Sequence, residues 1–370
     1  MQFSISRQAL FGAIKAVAGV VERKNTHPIL SNFLLEVKGK QLVVSASNLE
    51  MEIRIQVPEV VVASEDFAIT LPAKKVQDLL ATMPDSAEVS FDIADGHAQM
   101  KVGRSRYKLS TLPAEDFPLI DVSNQEASVA VPQLLLSKMI KQTEFAMAAQ
   151  DVRFYLNGML FELDNQQLTL VATDGHRLSK ASTTLANAQS GKWQLIVPRR
   201  TVIELAKAVG DSGDVILGLA KNHLMLTVGD LSMIVKLIEG KFPDYQRVIP
   251  LNMPFVLAID KAPFAAGLSR VAILANEKLR GVRMTIQETQ VELTTSNSEQ
   301  DEADEIIDAN FSGNTEITTG FNLRYLQDIL TVLPHELAMI NFRDGNSACM
   351  TSYPLGDEIS ITQVVMPMRI

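Results

Sequence analysis

The chain repeats itself three times, and this limits its fold more than any single motif does. A Phe-Pro or Met-Pro step occurs at Phe117-Pro118, Phe242-Pro243 and Met366-Pro367, at intervals of 125 and 124 residues. A polar residue closes an apolar strand at Asn48, Asp174 and Asn297, at intervals of 126 and 123. Near the start of each unit an apolar stripe with spacing i, i+4, i+7, i+11 marks one face of a helix: Leu10, Ile14, Val17 and Val21; then Leu136, Ile140, Thr143 and Met147; then Phe264, Leu268, Val271 and Ala275. A second stripe, spaced i, i+3, i+4, i+7, follows later: Val76, Leu79, Leu80 and Met83; Val202, Leu205, Ala206 and Val209; Leu326, Ile329, Leu330 and Leu333. Solenoid repeats run to roughly 20–50 residues, so a period near 125 is that of a domain. The 370 residues read as three copies of one domain, over 1–125, 126–253 and 254–370.

Within a copy the order is strand, helix, several strands, second helix, several strands. Stretches such as Gln41-Leu42-Val43-Val44-Ser45 and Gln167-Leu168-Thr169-Leu170-Val171 carry the strands. Asp95-Gly96, Gly229-Asp230 and Asp344-Gly345 read as hairpin turns, and Asn157-Gly158 as another turn. The pattern predicts an α+β fold: three tandem two-helix, antiparallel-sheet domains, helices covering one sheet face.

Several function classes drop out. No run of about 18 apolar residues predicts a membrane span. Ala9 to Val21 is interrupted by Lys15 and leads into Glu22-Arg23-Lys24 without a small-residue cleavage site, so it reads as an amphipathic helix of a cytoplasmic protein. The single cysteine, Cys349, excludes an intrachain disulfide framework and a multi-cysteine metal site, and fits a reducing compartment. The five histidines are scattered without ligand spacing, so neither metal nor cofactor is expected. Phosphate-loop, dinucleotide, zinc-protease and serine-hydrolase motifs are missing. Asp174-Gly175-His176-Arg177 is the most enzyme-like stretch. An Asp and a His two apart suit acid–base work, but nothing else converges on them as nucleophile or oxyanion donor. The plainer reading is a tight turn, with Asp174 capping and Gly175 at positive φ.

Charge separates the copies. Lys+Arg is 34 against 43 Asp+Glu, a net charge of −9, which excludes a generally basic nucleic-acid binder. The third copy holds 8 basic and 16 acidic residues, with Glu299, Asp301, Glu302, Asp304 and Glu305 in one run. The first copy offers Lys74, Lys75, Arg104 and Arg106. Unlike ends on a tandem array suggest a head-to-tail contact between chains, which closes into a ring where the rotation allows. Basic residues also recur on helices, as Lys15 and Lys141, or Lys74, Arg199, Arg200 and Lys207. Such a face binds phosphates without reading sequence.

The chain resembles the bacterial DNA polymerase III β subunit family, the replicative sliding clamps. The stretches that carry the resemblance run from Gln150-Asp151-Val152-Arg153-Phe154-Tyr155-Leu156-Asn157-Gly158 and Ala172-Thr173-Asp174-Gly175-His176-Arg177-Leu178 to Lys241-Phe242-Pro243-Asp244-Tyr245, Leu279-Arg280-Gly281-Val282-Arg283 and Val364-Val365-Met366-Pro367-Met368-Arg369-Ile370. The resemblance covers all three copies. It implies the DNA clamp fold: a crescent that closes as a head-to-tail homodimeric ring around double-stranded DNA, a non-catalytic tether for polymerase. It implies DNA contacts at Lys24, Gln150, Phe154 and Tyr155, with Lys74, Arg199 and Arg200 as further candidates. Lys24 stands where some members have arginine, and Phe154 where some have tyrosine.

The resemblance also implies a pocket between the second and third domains for short peptides rich in Gln, Leu and Phe. These come from the polymerase III alpha subunit, the clamp-loader delta subunit, other polymerases and repair proteins. The matching positions are Arg153, Leu156, Thr173, Gly175, His176, Arg177 and Leu178, then Pro243, Arg247, Val248, Asn322 and Tyr325, and at the end Val364, Met366, Pro367, Met368 and Arg369. For the ring joint it points to Lys75, Tyr107, Ile273 and Leu274, with Glu299, Asp301 and Glu305 as the acidic side. Two other readings stay open on the residues alone. One is an enzyme using Asp174 and His176, and the other a scaffold ring that binds proteins but not DNA.

Overall fold

The computed structural model describes residues 1–22, 27–57, 62–63, 65–94, 96–122, 126–186 and 191–369; Lys24, Asp95 and Ile370 lie outside the described residues. The first repeat runs β1 (Gln2–Ser6), α1 (Arg7–Val17), β2 (Asn32–Lys38), β3 (Gln41–Ser47), β4 (Met51–Val57), β5 (Val62–Ala63), β6 (Phe67–Pro72), α2 (Ala73–Ala81), β7 (Glu88–Ala94), β8 (His97–Val102) and β9 (Ser105–Ser110). The second runs β10 (Ala127–Pro132), α3 (Gln133–Thr143), β11 (Gly158–Asp164), β12 (Gln167–Thr173), β13 (Arg177–Thr184), β14 (Lys192–Pro198), α4 (Arg199–Ala208), β15 (Asp214–Ala220), β16 (His223–Val228) and β17 (Leu231–Lys236). The third runs β18 (Phe255–Asp260), α5 (Lys261–Leu274), β19 (Gly281–Ile286), β20 (Gln290–Ser296), β21 (Glu302–Phe311), β22 (Ile317–Asn322), α6 (Leu323–Val332), β23 (Leu337–Phe342), β24 (Cys349–Leu355) and β25 (Ile359–Val365).

The predicted order of elements is present three times. The first helix of each repeat buries the first three residues of its stripe, Leu10, Ile14 and Val17; Leu136, Ile140 and Thr143; Phe264, Leu268 and Val271, while the fourth, Val21, Met147 or Ala275, lies past the helix end. The polar residue after β3, β12 and β20 does the same work each time. The Asn48, Asp174 and Asn297 side-chain oxygens accept from backbone N–H groups two to four residues on, turning the chain at the strand end.

Two local expectations change. The second stripes predict helix through Met83, Val209 and Leu333, but α2, α4 and α6 stop at Ala81, Ala208 and Val332. Pro84 and Pro334 disfavour helical backbone at Met83 and Leu333, the residues before them, and Gly210 follows Val209. Asp344-Gly345 is not a two-residue hairpin but part of a longer link between β23 and β24. Gly345 is needed there for space, since a Cβ would fall 2.2 Å from the Thr318 carbonyl oxygen.

The chain packs as two units, Met1–Leu135 with Glu204–Leu237, and Leu136–Ile203 with Ile238–Ile370. The first holds a five-stranded sheet, β5-β1-β7-β8-β9, and an eight-stranded sheet, β10-β15-β16-β17-β4-β3-β2-β6. The second holds one twelve-stranded sheet, β14-β11-β12-β13-β25-β24-β23-β18-β21-β20-β19-β22. Packing therefore divides the middle repeat instead of following the sequence period. The reason is hydrogen bonding: β17 pairs with β4, placing Met233 opposite Ile53, and β13 pairs with β25, placing Leu178 opposite Val364. Each pairing covers an edge that a lone repeat would leave open.

Candidate functional site

In the second unit, the strand pairing of β13 with β25 builds the floor of a groove. Leu160, Val171, Leu178, Ile196, Phe242, Tyr245, Ala348 and Val364 form a buried apolar cluster, and Tyr155, Val248 and Met366 lie half-buried against it. Above them opens a cavity of about 180 Å³. Ten predicted pocket residues line it: Arg153, Leu156, Thr173, Gly175, Arg177 and Leu178 on one side, Pro243, Val248, Val364 and Met366 on the other. The polar rim comes from the turn after β12. Asp174 Oδ1 accepts from the His176 and Arg177 amides at 2.9 and 3.0 Å, and Gly175 takes φ +87°. A Cβ at Gly175 would fall 2.8 Å from Arg153 Nη1, so a side chain there would also push that guanidinium aside. The most enzyme-like stretch is thus a turn with its carboxylate occupied.

Arg153 is fixed by Asp151 through Nε at 3.0 Å and Nη2 at 2.8 Å, and by the Asp174 carbonyl at 3.0 Å. Hydrogen bonds from Arg153 hold the Asp151 carboxyl down at about 2, so the pair stays charged at any mildly acidic or neutral pH.

The other predicted pocket residues lie around this cavity, not in it. His176 and Tyr325 stack at 6.4 Å and line a second, more polar cleft of about 820 Å³, which Arg177 also walls. Arg247 is exposed and paired with Asp244 at 2.8 Å. Asn322 caps α6 by accepting from the Arg324 amide at 3.0 Å. The chain end is tied back by the Met366 amide to the His176 carbonyl and the Met368 amide to the Gly320 carbonyl, with Pro367 half-buried and Arg369 exposed.

Two groove residues carried no such expectation. Tyr155, a predicted DNA contact, lines the groove, and so does Tyr245. The available signal for Tyr245 was the stretch Lys241-Phe242-Pro243-Asp244-Tyr245, which carries the resemblance and ends on it. The Tyr245 hydroxyl donates to Glu162 at 2.6 Å. Burial, aided by that carboxylate, pushes its pKa up to about 12. A raised phenol pKa adds stability that is complete below the usual value of about 10 and is lost as pH rises through about 12. An alkaline titration of phenolate absorbance is therefore expected to show a late step that Tyr245→Phe lowers by one phenol, because burial also raises Tyr353 and Tyr325. A titration complete by about pH 11 in the native protein would contradict this placement.

The other predicted residues occupy surfaces. Gln150 sits at positive φ on the polar cleft, and Phe154 is 55% exposed and meets the Tyr155 ring edge-on at 5.8 Å. Arg199 donates to the Met147 carbonyl at 3.0 Å, and Arg200 is half-buried. In the first unit, Lys74 pairs with Asp78, Lys75 is exposed, and Tyr107 lies on β9, an edge strand of the five-stranded sheet. In the second unit, Ile273 is 78% exposed, Leu274 half-buried, and Glu299 and Asp301 exposed. Glu305 is held within the chain by Arg270 Nε and Nη2 at 2.5 and 2.8 Å. Among the described residues, β21 from Glu302 to Asp308 pairs only with β20, leaving its other edge open.

Family models of the DNA polymerase III beta subunit match the chain in three consecutive parts: the N-terminal domain over 1–121, the central domain over 130–244 and the C-terminal domain over 246–369. The beta sliding clamp of Pseudomonas putida is 40% identical over the full length of both chains. A crystal structure of the DNA polymerase III subunit beta from Pseudomonas aeruginosa superposes with a TM-score of 0.94 at 38% identity, covering both chains completely. A Pseudomonas aeruginosa sliding clamp bound to griselimycin gives the same TM-score at 39% identity and the same full coverage. With three consecutive domains matched and full-length relatives well above 30% identity, the chain belongs to the DNA polymerase III beta subunit family, the beta sliding clamps.

Proposed function

We propose that the groove floored by Leu178, Val364 and Met366 receives short clamp-binding peptides, and that two chains close head to tail into a ring around double-stranded DNA. The chain is a DNA sliding clamp, a processivity factor that makes and breaks no bond. The groove carries the finer reading. It joins an apolar floor to a polar rim and ends on a methionine, a side chain that adapts to varied partners. The partners would be the polymerase III alpha subunit, the clamp-loader delta subunit, and other polymerases and repair proteins. The setting would be the cytoplasm; no helix among the described residues is long and apolar enough to cross a membrane. The sequence repeats over 1–125, 126–253 and 254–370 are the domains of this reading, consistent with the family-model ranges.

Two open strand edges support the ring. β9 carries Tyr107 beside exposed Arg104 and Arg106, while β21 carries the end of the acidic run from Glu299. Basic and acidic edges from different chains would pair, with Lys75, Ile273 and Leu274 flanking. DNA would meet Lys24, Gln150, Phe154, Tyr155, Lys74, Arg199 and Arg200 through weak phosphate and stacking contacts, since one strong site would pin a ring that must slide.

Fluorescence polarisation with a labelled five-residue peptide of Gln, Leu and Phe tests the groove: Met366→Asp should abolish binding, and undiminished binding would reject the site. A separate test addresses DNA. Reversing Lys141, Arg199 and Arg200 to glutamate should lower DNA affinity and reduce the salt slope by about one unit for each phosphate no longer neutralised. A variant with the native salt slope would favour the scaffold reading instead.

A further inference from the structure

We infer that Asp328 is a positioning residue for the peptide groove, acting through Arg177. The inference rests on the groove reading above and adds a residue that does not itself line the groove. Arg177 begins β13, beside the floor residue Leu178, and is only 8% exposed. Each of its three guanidinium nitrogens already has an acceptor on the chain. Nε donates to Asp174 Oδ2 at 3.1 Å, Nη1 donates to Asp328 Oδ2, and Nη2 donates to the Phe145 carbonyl at 2.6 Å. The guanidinium carbon also lies 4.5 Å from the Tyr325 ring centre and 5.2 Å from that of Phe145.

This side chain is therefore an internal strut. It joins the turn after β12, which carries Gly175 and His176, to α6, which carries Tyr325 and Asp328. It also forms the wall shared by the apolar groove and the polar cleft. Asp328 lines the cleft and not the groove. Its other charged neighbour is Arg324, at 4.0 Å and largely exposed. Losing the Asp328 carboxylate leaves a buried guanidinium with one anionic partner fewer, and the change is passed to the turn that the same guanidinium holds through Asp174. Lysine in place of Arg177 fails for a related reason. One ammonium cannot present a planar fork to Asp174, Asp328 and the Phe145 carbonyl together.

The test uses the full-length protein and the labelled Gln/Leu/Phe peptide. Asp328→Asn is near-isosteric and should weaken binding about tenfold, chiefly through faster dissociation. Arg177→Lys should do the same, and the double variant should be no worse than the stronger single one, because both break one strut. In the free protein, the His176 ring resonance should shift in Asp328→Asn, since that ring stacks on Tyr325. General destabilisation would lower the melting temperature without those signatures. Native affinity in Asp328→Asn, or additive losses with an unmoved His176 resonance, would overturn the proposal. Met366→Asp separates the two layers of argument. If it leaves binding intact, the groove reading itself fails; if it abolishes binding while Asp328→Asn does not weaken it, only the strut fails. Should Asp328→Asn not fold, Asp328→Glu, which keeps the charge but displaces the carboxylate from Arg177, carries the same comparison.

Discussion

Ile273→Asp is expected to convert the dimer into monomers at micromolar chain concentration while leaving each chain folded. Ile273 is 78% exposed on α5, one turn after Arg270, whose ion pair with Glu305 ties the helix to β21. A large aliphatic side chain in that position gains nothing in the free chain. Covered by the partner at the proposed joint, it would contribute about 1.5–3 kcal/mol, and a closed two-chain ring would have two such joints. Losing both costs about 3–6 kcal/mol, on the order of a hundred- to ten-thousandfold in dimer dissociation. The aspartate adds the cost of setting a carboxylate against an apolar, already acidic joint. Because the side chain is exposed in the single chain, its melting behaviour should stay within about 0.5 kcal/mol of the native value. Small-angle scattering with an absolute mass, over a dilution series, reads the outcome. A two-chain mass that persists at every concentration in the variant would remove Ile273 from the joint. A compact monomer already in the native protein would remove the ring.

The sequence was legible where a local physical rule acts alone. Helix stripes predicted α1, α3 and α5 because a buried face has one period, and Asn48, Asp174 and Asn297 marked strand ends because each carries a side-chain acceptor that turns the backbone. The rule failed at Met83, where Pro84 outweighed an apolar residue at the right spacing, and at Asp344-Gly345, where the glycine answers crowding by Thr318 and not a hairpin. What the period could not show was the pairing of β17 with β4 and of β13 with β25. Those pairings join strands far apart in the chain and decide that the middle repeat is shared between two packing units. The groove divides the same way. Leu178, Val364 and Met366 are apolar positions that resemblance could point to. Arg177 also matched, but its chemistry was hidden: an arginine whose nitrogens all face inward reads, in sequence, like any rim residue. Asp328 carried no signal, because its partner lies 151 residues away.

Ending the chain after Val365 should lower peptide affinity by about a hundredfold or more and leave the dimer intact. The truncation keeps the whole of β25, so the ladder of Leu178 opposite Val364 survives. It removes the Met366 side chain from the groove floor and two backbone ties, from Met366 to His176 and from Met368 to Gly320. Removing a methionine from an apolar site costs about 1.5–3 kcal/mol, and opening one wall to water weakens the interactions that remain. The proposed joint uses α5 and the first part of β21 in one chain and β9 in the other, none of which touches the tail through the bonds being removed. Polarisation and sedimentation on the same sample separate the two effects. Unchanged peptide affinity would mean that the tail is only the end of a strand. A simultaneous loss of dimer mass would mean that it supports the fold instead of the groove. A milder change then probes why the position is methionine. Met366→Leu keeps the apolar volume but loses the unbranched, adaptable thioether. It should retain one peptide well and discriminate more sharply among peptides that differ at their apolar residues, because a stiffer floor cannot repack for each of them.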